Sequence, residues 1–281
     1  MPGRPSPAAQ IRTEREPSRM AHAVTASSTP PLRSNEPLNA DSVRRARVDL
    51  AACLRWAARN GLEEGICNHF SAVLPDRPDL FLVNPYGLAF AEVTASSLLL
   101  CDFHGNVVEG DGQPEATAFH IHAELHRLKP KARAAFHTHM PYATALAMLE
   151  GQPLLWAGQT ALRFYGRIAV DEDYNGLALD SREGERIARS AGDADVVFLK
   201  NHGVMVLGET IAEAWDDLYY LERAAQAQVL AMSTGRTLKV VPEEIVRHVA
   251  AQEAAGRAES ARLHLESVKR VLARDEPAFL A

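Results

Sequence analysis

The middle of the chain alternates short apolar runs with turn residues, and this pattern restricts the fold more than any other feature of the sequence. Phe70 to Leu74 and Phe81 to Val83 are separated by prolines and aspartates, as in two strands joined by a turn. Residues 98–103 and 107–108 flank His104-Gly105-Asn106, which predicts a second hairpin. The first half of the chain is therefore predicted to be rich in strands.

Helical patterns precede, interrupt and follow these strands. A first helix is expected to begin at Asp41 and end near Gly61, and a second to span about residues 115–128. Thr210 and Glu213 have the spacing of a capping box, which predicts the start of a long helix. Strands surrounded by helices in one continuous pattern indicate a mixed α/β fold with a single domain.

The two ends of the chain differ in composition from this domain. Residues 1–38 hold seven of the 16 prolines among many Ser, Thr and Arg residues, so they are expected to form a disordered leader. Residues 39–235 are assigned to the folded domain. Residues 236–281 follow Gly235 with a charged amphipathic pattern, which predicts a helical extension on the outside of the fold or on a neighbouring subunit.

Charge and composition exclude several classes of protein. Lys and Arg number 30 against 36 Asp and Glu, and the net charge of -6 has the wrong sign for a nucleic-acid partner. No stretch approaches the ~18 apolar residues of a membrane span, so we expect a cytoplasmic protein that does not enter membranes. The three cysteines have no CxxC spacing and are interpreted as buried, reduced side chains.

The strongest chemical motif is His137-Thr138-His139, which follows the apolar run of residues 134–136. Alternate residues of a strand point the same way, so both imidazoles can bind one metal ion. His202, at the predicted turn between two apolar runs and next to Gly203, is the natural third ligand. Three neutral imidazoles with open positions suit Zn, Fe, Mn or Co. The alternative is a chance pair, since the chain contains 11 histidines.

Five separated segments together resemble the class II aldolase/adducin family in order and spacing. They span roughly residues 41–235 and comprise Gly65-Ile66-Cys67-Asn68-His69-Phe70-Ser71, Asn84-Pro85-Tyr86-Gly87, Pro114-Glu115 with Phe119-His120, His137-Thr138-His139, and Asn201-His202-Gly203. The resemblance implies that His137, His139 and His202 bind a divalent metal. It also implies a class II aldolase-like fold, with a central, mostly antiparallel sheet flanked by helices, assembled as a homotetramer with sites between subunits.

The chain departs from the sugar-phosphate members of this family where those members bind phosphate. They use a Gly-Asn loop, a Thr or Ser before a Gly, and a Ser-Ser pair, whereas this chain has Asn68-His69, Tyr86 before Gly87, and Pro114-Glu115. Without those hydroxyl donors, a negatively charged protein offers little to a phosphate. We therefore predict a non-phosphorylated substrate.

Glu115 is the candidate catalytic residue. The family places its catalytic Glu or Asp four residues before His120, but that position is Ala116 here, and Glu115 lies one residue earlier. Glu115 would act as an acid/base, or through a partner, if the loop is shifted. A glutamate at the N-terminus of a helix is the ordinary alternative.

Four further residues are candidates for substrate binding. His120 is expected either to line the pocket or to be a satisfied core histidine. Arg163 and Arg167, with Tyr165 between them, follow the metal-binding strand and are candidate clamps for a carboxylate, although solvated arginines are more common. The nearby pair His122 and His126 has the histidine spacing of a zincin, but Glu124 between them is not in the H-E-x-x-H position, and we predict that both histidines lie on the surface.

Three classes of function compete. A non-catalytic, adducin-like interaction domain needs none of the three metal histidines and is disfavoured. A metal-dependent aldolase or decarboxylase, a C–C lyase, would act on a small keto or hydroxy acid with the ion as Lewis acid. An Fe(II)-dependent dioxygenase would use the open positions of the ion for a 2-oxo acid and dioxygen. Zn or Mn are the alternative ions.

Among relatives with non-phosphorylated substrates, the chain most resembles the aldolase-like non-haem iron oxygenases of aminocoumarin (clorobiocin and novobiocin) antibiotic biosynthesis. This resemblance implies oxidative decarboxylation of an aromatic 2-oxo acid, from prenylated 4-hydroxyphenylpyruvate to prenylated 4-hydroxybenzoate. The oxygenase is preferred to the lyase because the usual aldolase acid and phosphate donors are displaced or absent.

Overall fold

The described residues fold around one central β-sheet. The computed structural model describes residues 38–281, so the predicted leader lies outside the described residues except for Leu38. The strands are β1 His69–Val73, β2 Leu80–Val83, β3 Leu99–Asp102, β4 Val107–Glu109, β5 Ala134–Thr138, β6 Ile168–Asp171, β7 Val196–Leu199 and β8 Gly203–Gly208. Their order is β4-β3-β2-β1-β5-β8-β7-β6. All neighbours are antiparallel except β6 and β7, which confirms the central, mostly antiparallel sheet.

Helices cover both faces of this sheet. They are α1 Ala40–Arg59, α2 Ala116–Leu128, α3 Pro141–Ala147, α4 Gln159–Leu162, α5 Ser181–Ser190, α6 Ile211–Met232 and α7 Glu243–Asp275. The larger core contains Phe70, Phe136 and Trp215 and lies under α1, α3, α6 and α7. A smaller core under α2 and α5 contains Ile187 and Met205. The protein is therefore a three-layer α/β structure.

The alternation of side chains along the strands explains how one sheet supplies two cores. Val204 and Val206 of β8 join the larger core, whereas Met205 and Leu207 join the smaller one. The same rule places His137 of β5 on the face of α2 and α5, opposite in register to Met205. The residues of interest for chemistry consequently lie on the side with the smaller core.

The predicted helix ends are close to those observed. The first helix begins at Ala40, because the Asn39 side chain, and not that of Asp41, accepts a hydrogen bond from the Ser42 amide at 3.2 Å. Thr210 caps α6 as predicted, since its hydroxyl oxygen accepts from the amide of Glu213 at 3.1 Å. The sequence pattern thus located these elements to within two residues.

Strand β6 and helix α5 had no counterpart in the sequence analysis. Helix α5 packs tightly on α2 at Gly184, where an added Cβ would lie 2.3 Å from the carbonyl oxygen of His120. Only glycine permits this close approach, and it brings Glu183 and Arg186 of α5 to the same cavity wall as Glu115.

The C-terminal segment continues the larger core. Helix α7 is 33 residues long and packs on α1 and α6 through buried side chains that include Leu265, Val268 and Leu272. The ammonium of Lys269 lies 2.7 Å from a carboxylate oxygen of Asp49 on α1. Within residues 38–281, the structure contains no helix with both the length and the apolar character needed to cross a membrane.

Candidate metal centre and cavity

Three histidines converge where β5 ends and the turn between β7 and β8 begins. His137 lies in β5, His139 lies just beyond it, and His202 lies in the turn. One ligand nitrogen from each of them falls within 4.8 Å of the others. The ring centroids are separated by 4.7 to 5.0 Å. The structure therefore brings together the three residues that the sequence nominated as metal ligands.

Gly203 is needed for this convergence. An added Cβ at Gly203 would lie 2.7 Å from the carbonyl oxygen of Thr138 and 2.8 Å from a ring carbon of His139. Any other residue would push β8 away from the end of β5 and separate His202 from the pair. Asn201, which precedes His202, adopts a left-handed conformation with φ of 57°, which asparagine tolerates better than most residues.

Hydrogen bonds orient two of the imidazoles as ligands. The Nδ1 of His137 donates to the carbonyl of Val204 at 2.9 Å, and the Nδ1 of His139 donates to the carboxylate of Glu64 at 2.5 Å. A neutral imidazole that donates through Nδ1 carries a lone pair on Nε2. The two Nε2 atoms face each other at 3.1 Å. Two lone pairs at that distance repel each other unless a cation lies between them, so the donor set fits a divalent metal.

Burial keeps the rings of His137 and His202 neutral. It lowers the pKa of His137 well below its usual 6.5, and it lowers the pKa of His202 to about 4. Neighbouring histidines lower both values further. A metal ligand must be unprotonated, so these rings are ready to bind an ion at neutral pH.

A cavity of about 760 Å³ opens beside the three histidines. Apolar side chains in its wall include Ile66, Tyr86, Tyr174 and Leu177. Cys67 also lines the cavity and is exposed, which corrects the prediction that all three cysteines are buried. The volume and the apolar wall suit an organic ligand of moderate size.

The charges in the cavity wall are mostly negative. Carboxylates come from Glu64, Glu115, Asp171, Asp173 and Glu183. The guanidinium of Arg186 is engaged, at 2.8 Å from Asp171 and 2.7 Å from Glu183. The ammonium of Lys200 donates to two backbone carbonyls, at 2.5 and 2.8 Å. The two cations of the described wall are thus already paired, and the cavity offers little to a phosphate.

Glu115 lies in the cavity wall and also caps α2. One carboxylate oxygen accepts from the Ala118 amide at 2.8 Å and from the hydroxyl of Thr117, which lines the cavity as well. The ordinary role as a helix N-cap is therefore present, and the same contacts hold the carboxylate at the cavity.

The other predicted substrate-binding residues do not line this cavity. His120 sits where α2 meets α5. Arg163 pairs with Asp216 at 2.5 Å, and Arg167 pairs with Asp217 and, at 2.7 Å, with Asp195. The structure gives both guanidinium groups partners among carboxylates of the fold.

The hydroxyl of Tyr165 lies 3.0 Å from Glu243 at the start of α7. This contact and the two arginine pairs belong to the side of the molecule where α6 and α7 pack.

Sequence reasoning missed a group of residues on the cavity side of α2 and β1. His122 and His126 are buried, which corrects the prediction that they lie on the surface. Both form hydrogen bonds with Ser71 of β1. His69, opposite His137 in the sheet, lines the cavity. The alternation of His69 and Ser71 with apolar Phe70 and Ala72 was the available signal, because it places both polar side chains on one face of the strand.

The fold and the histidine cluster define the class, a single-domain α/β protein with a candidate site for a divalent metal. Residues 48–229 match the family model described as class II aldolase and adducin N-terminal domain. The chain belongs to the class II aldolase/adducin family.

Individual relatives agree with this assignment. A protein of Caulobacter vibrioides named "Putative aldolase class 2 protein" is 37% identical over 84% of this chain and 91% of its own length. The 4-hydroxy-3-prenylphenylpyruvate oxygenase/4-hydroxy-3-prenylbenzoate synthase of Streptomyces roseochromogenus is 32% identical over 70% of this chain and 71% of its own. An aldolase II superfamily structure from Pseudomonas syringae superposes with a TM-score of 0.80 at 32% identity, covering 85% of this chain and 96% of that one.

Proposed function

We propose that the protein is an Fe(II)-dependent dioxygenase that oxidatively decarboxylates a non-phosphorylated aromatic 2-oxo acid. The observation that carries the proposal is the cluster of His137, His139 and His202, which contains imidazoles and no carboxylate among the described residues, beside a largely apolar cavity. Bound there, Fe(II) would supply the open positions at which a 2-oxo acid and dioxygen react. The Streptomyces relative named as a prenylphenylpyruvate oxygenase supports the same chemistry.

The side chains that line the cavity support this substrate class. A flat aromatic ring matches the apolar side of the cavity, where Tyr86 and Tyr174 lie. The metal ion would neutralise the carboxylate of a 2-oxo acid. Arg186 already binds the carboxylate of Asp171, and Lys200 already donates to a backbone carbonyl. A sugar phosphate would need further cationic or hydroxyl donors. We therefore propose prenylated 4-hydroxyphenylpyruvate as the substrate and prenylated 4-hydroxybenzoate as the product.

The chain's own residues hold the reacting groups. Glu64 fixes the ring of His139 from outside the cluster, and the Val204 carbonyl fixes that of His137. Glu115, held by Thr117 and the Ala118 amide, is the carboxylate we propose to handle a proton at the cavity wall. The family resemblance further supports a cytoplasmic homotetramer whose partners are this small acid and dioxygen.

Oxygen consumption tests the proposal. Removing two carbons from an arylpyruvate to give the benzoate, two carbon dioxide and one water requires two dioxygen molecules per substrate. Protein loaded with Fe(II) without oxygen should form no product until air is admitted, and should then consume oxygen in that ratio. His202→Ala should abolish the consumption, whereas His104→Ala, at an exposed turn, should not.

A metal-dependent C–C lyase is the second candidate. It is favoured by the 37% identity to a protein named as a putative aldolase and by Glu115 in the cavity wall. Such an enzyme would cleave a small keto or hydroxy acid without oxygen, and Zn or Mn would support it about as well as Fe(II). Product formation in the anaerobic arm would therefore establish the lyase and refute the oxygenase.

A further inference from the structure

A buried chain of hydrogen-bonded side chains leads from the cavity into the protein. The Nδ1 of His69 lies 2.7 Å from the Nε2 of His122, and the Nδ1 of His122 lies 2.5 Å from the hydroxyl of Ser71. The same hydroxyl lies 2.7 Å from the Nε2 of His126, whose Nδ1 lies 2.5 Å from the carbonyl of Ala132. We call these four side chains the histidine relay. All four are buried.

The backbone end of the relay fixes the direction of its hydrogen bonds. A carbonyl oxygen can only accept a hydrogen bond, so the Nδ1 of His126 carries a proton and donates a hydrogen bond to the carbonyl of Ala132. Burial lowers the pKa of His126 to about 4, so this ring is neutral and its Nε2 must accept. Ser71 therefore donates its single hydroxyl proton to His126.

The same reasoning assigns the tautomers of His122 and His69. Because the Ser71 proton is already used, the Ser71 oxygen accepts from the Nδ1 of His122. Burial lowers the pKa of His122 well below its usual value, so its Nε2 carries no proton and accepts from the Nδ1 of His69. His69 then has its proton on Nδ1 and a lone pair on Nε2, across the ring from the relay.

His69 meets the cavity directly beside the candidate metal ligands. It pairs with His137 across β1 and β5, and the two ring centroids are 4.8 Å apart. It contributes to the cavity wall. The edge that carries Nδ1 faces His122, so Nε2 is the ring nitrogen left to meet a ligand.

We propose that His69 is a specificity-determining residue whose Nε2 accepts a hydrogen bond from a hydroxyl on the carbon next to the ligand carboxylate, and that Ser71, His122 and His126 are positioning residues that fix this tautomer. The hydroxyl comes from a 2-hydroxy acid or from the enol form of a 2-oxo acid. The inference rests on the proposed function only for the aromatic acid as ligand class.

The tautomer can be measured without metal or substrate. Long-range ¹⁵N–¹H correlation spectra of the ¹⁵N-histidine-labelled full chain report which ring nitrogen is protonated. We expect His69, identified by the signal missing in His69→Phe, to show an unprotonated Nε2. Ser71→Ala should shift this pattern towards a mixture of tautomers, and Ser42→Ala, at another buried serine, should leave it unchanged. A protonated Nε2 of His69 in the wild-type protein overturns the proposal, whatever Ser71→Ala shows.

A ligand pair tests the hydrogen bond itself. Calorimetry on the Zn(II)-loaded protein would compare 3-phenyllactate with 2-methoxy-3-phenylpropanoate, which cannot donate. We expect the preference for the hydroxy acid to fall by about tenfold in His69→Phe, the effect of one lost hydrogen bond to a buried acceptor. Ser71→Ala should lower it partly, and Ser42→Ala should not change it. An unchanged preference in His69→Phe overturns the proposal, while the oxygen-consumption result stands or falls separately.

A keto ligand separates the two sources of the hydroxyl. If the enol of a 2-oxo acid is the donor, phenylpyruvate should also lose affinity in His69→Phe. If only a 2-hydroxy acid is recognised, phenylpyruvate affinity should stay constant while that of phenyllactate falls. Loss for neither acid contradicts the assignment of His69.

Discussion

Buried histidines give the protein a specific sensitivity to acid. Burial lowers the pKa of His126 to about 4, whereas the ring titrates near 6.5 in an unfolded chain. Between these two values the unfolded state binds more protons than the folded state, so stability is present above pH 6.5 and is lost as pH falls towards 4. His122 shifts in the same direction.

We therefore expect the free energy of unfolding to fall between pH 7 and pH 5, with about 2 kcal/mol of the loss due to His126 alone. In urea titrations, His126→Asn should reduce the difference in unfolding free energy between pH 7 and pH 5 by that amount. His104→Asn, at an exposed position, should leave the difference as it is. An equal pH dependence in His126→Asn and wild type would contradict the assignment.

The three converging histidines should contribute comparably to metal binding. Replacing His137, His139 or His202 by Ala leaves two ligands, so bound metal by elemental analysis should fall sharply in each variant. Glu64→Gln keeps the three ligands but weakens the partner of His139, and we expect roughly tenfold lower affinity. Full metal occupancy in His202→Ala would show that His202 is not a metal ligand.

Residue spacing predicted the cluster but not its surroundings. His137 and His139 are two apart on a strand, and a turn glycine marks His202, so local geometry was enough. The spacing of His122 and His126 fixes that they share one face of a helix, but not whether that face is buried. Arg163 and Arg167 depend on carboxylates of α6 that are about 50 residues away in sequence, and no local pattern reveals such pairs.

At the scale of elements, the parts that sequence missed are short and depend on tertiary contacts. Strand β6 has four residues and forms only by parallel pairing with β7. Helix α5 carries only two apolar side chains, Ile187 and Ala188, and both pack on the sheet. Both elements supply cavity residues, Asp171 and Arg186, so the missed elements account for much of the unpredicted site.

Helix α7 offers a matched pair of leucines for testing its packing. Leu265 is 3% exposed in the core shared with α1 and α6, whereas Leu263 is 51% exposed on the same helix. Leu265→Ala removes buried apolar volume and should cost about 3 kcal/mol of unfolding free energy. Leu263→Ala should change it by less than about 0.5 kcal/mol. Denaturant titrations with equal losses for both variants would show that α7 does not pack on the fold in solution.

At the scale of the whole molecule, exposed apolar side chains near the cavity bear on the expected assembly. Tyr174, Leu177 and Leu179 lie between β6 and α5 with 53%, 72% and 67% of their surface exposed in the single chain. Tyr174 and Leu177 also line the cavity. Adjacent large apolar groups of this kind commonly lie in subunit interfaces, where burial of apolar area stabilises association. The proposed homotetramer would place such a surface next to the site.

Light scattering coupled to size exclusion should accordingly give a solution mass of four times the 30.7 kDa of one chain. Leu179→Asp places a charge in the segment without touching the described cavity wall, so it should weaken association and lower the mass on dilution, because burying an unpaired carboxylate opposes contact. Leu263→Asp provides the control, an equally sized change at an exposed leucine of α7. A monomeric wild-type chain at micromolar concentration would contradict the tetramer, and a tetramer that Leu179→Asp leaves intact would place the interface elsewhere on the surface.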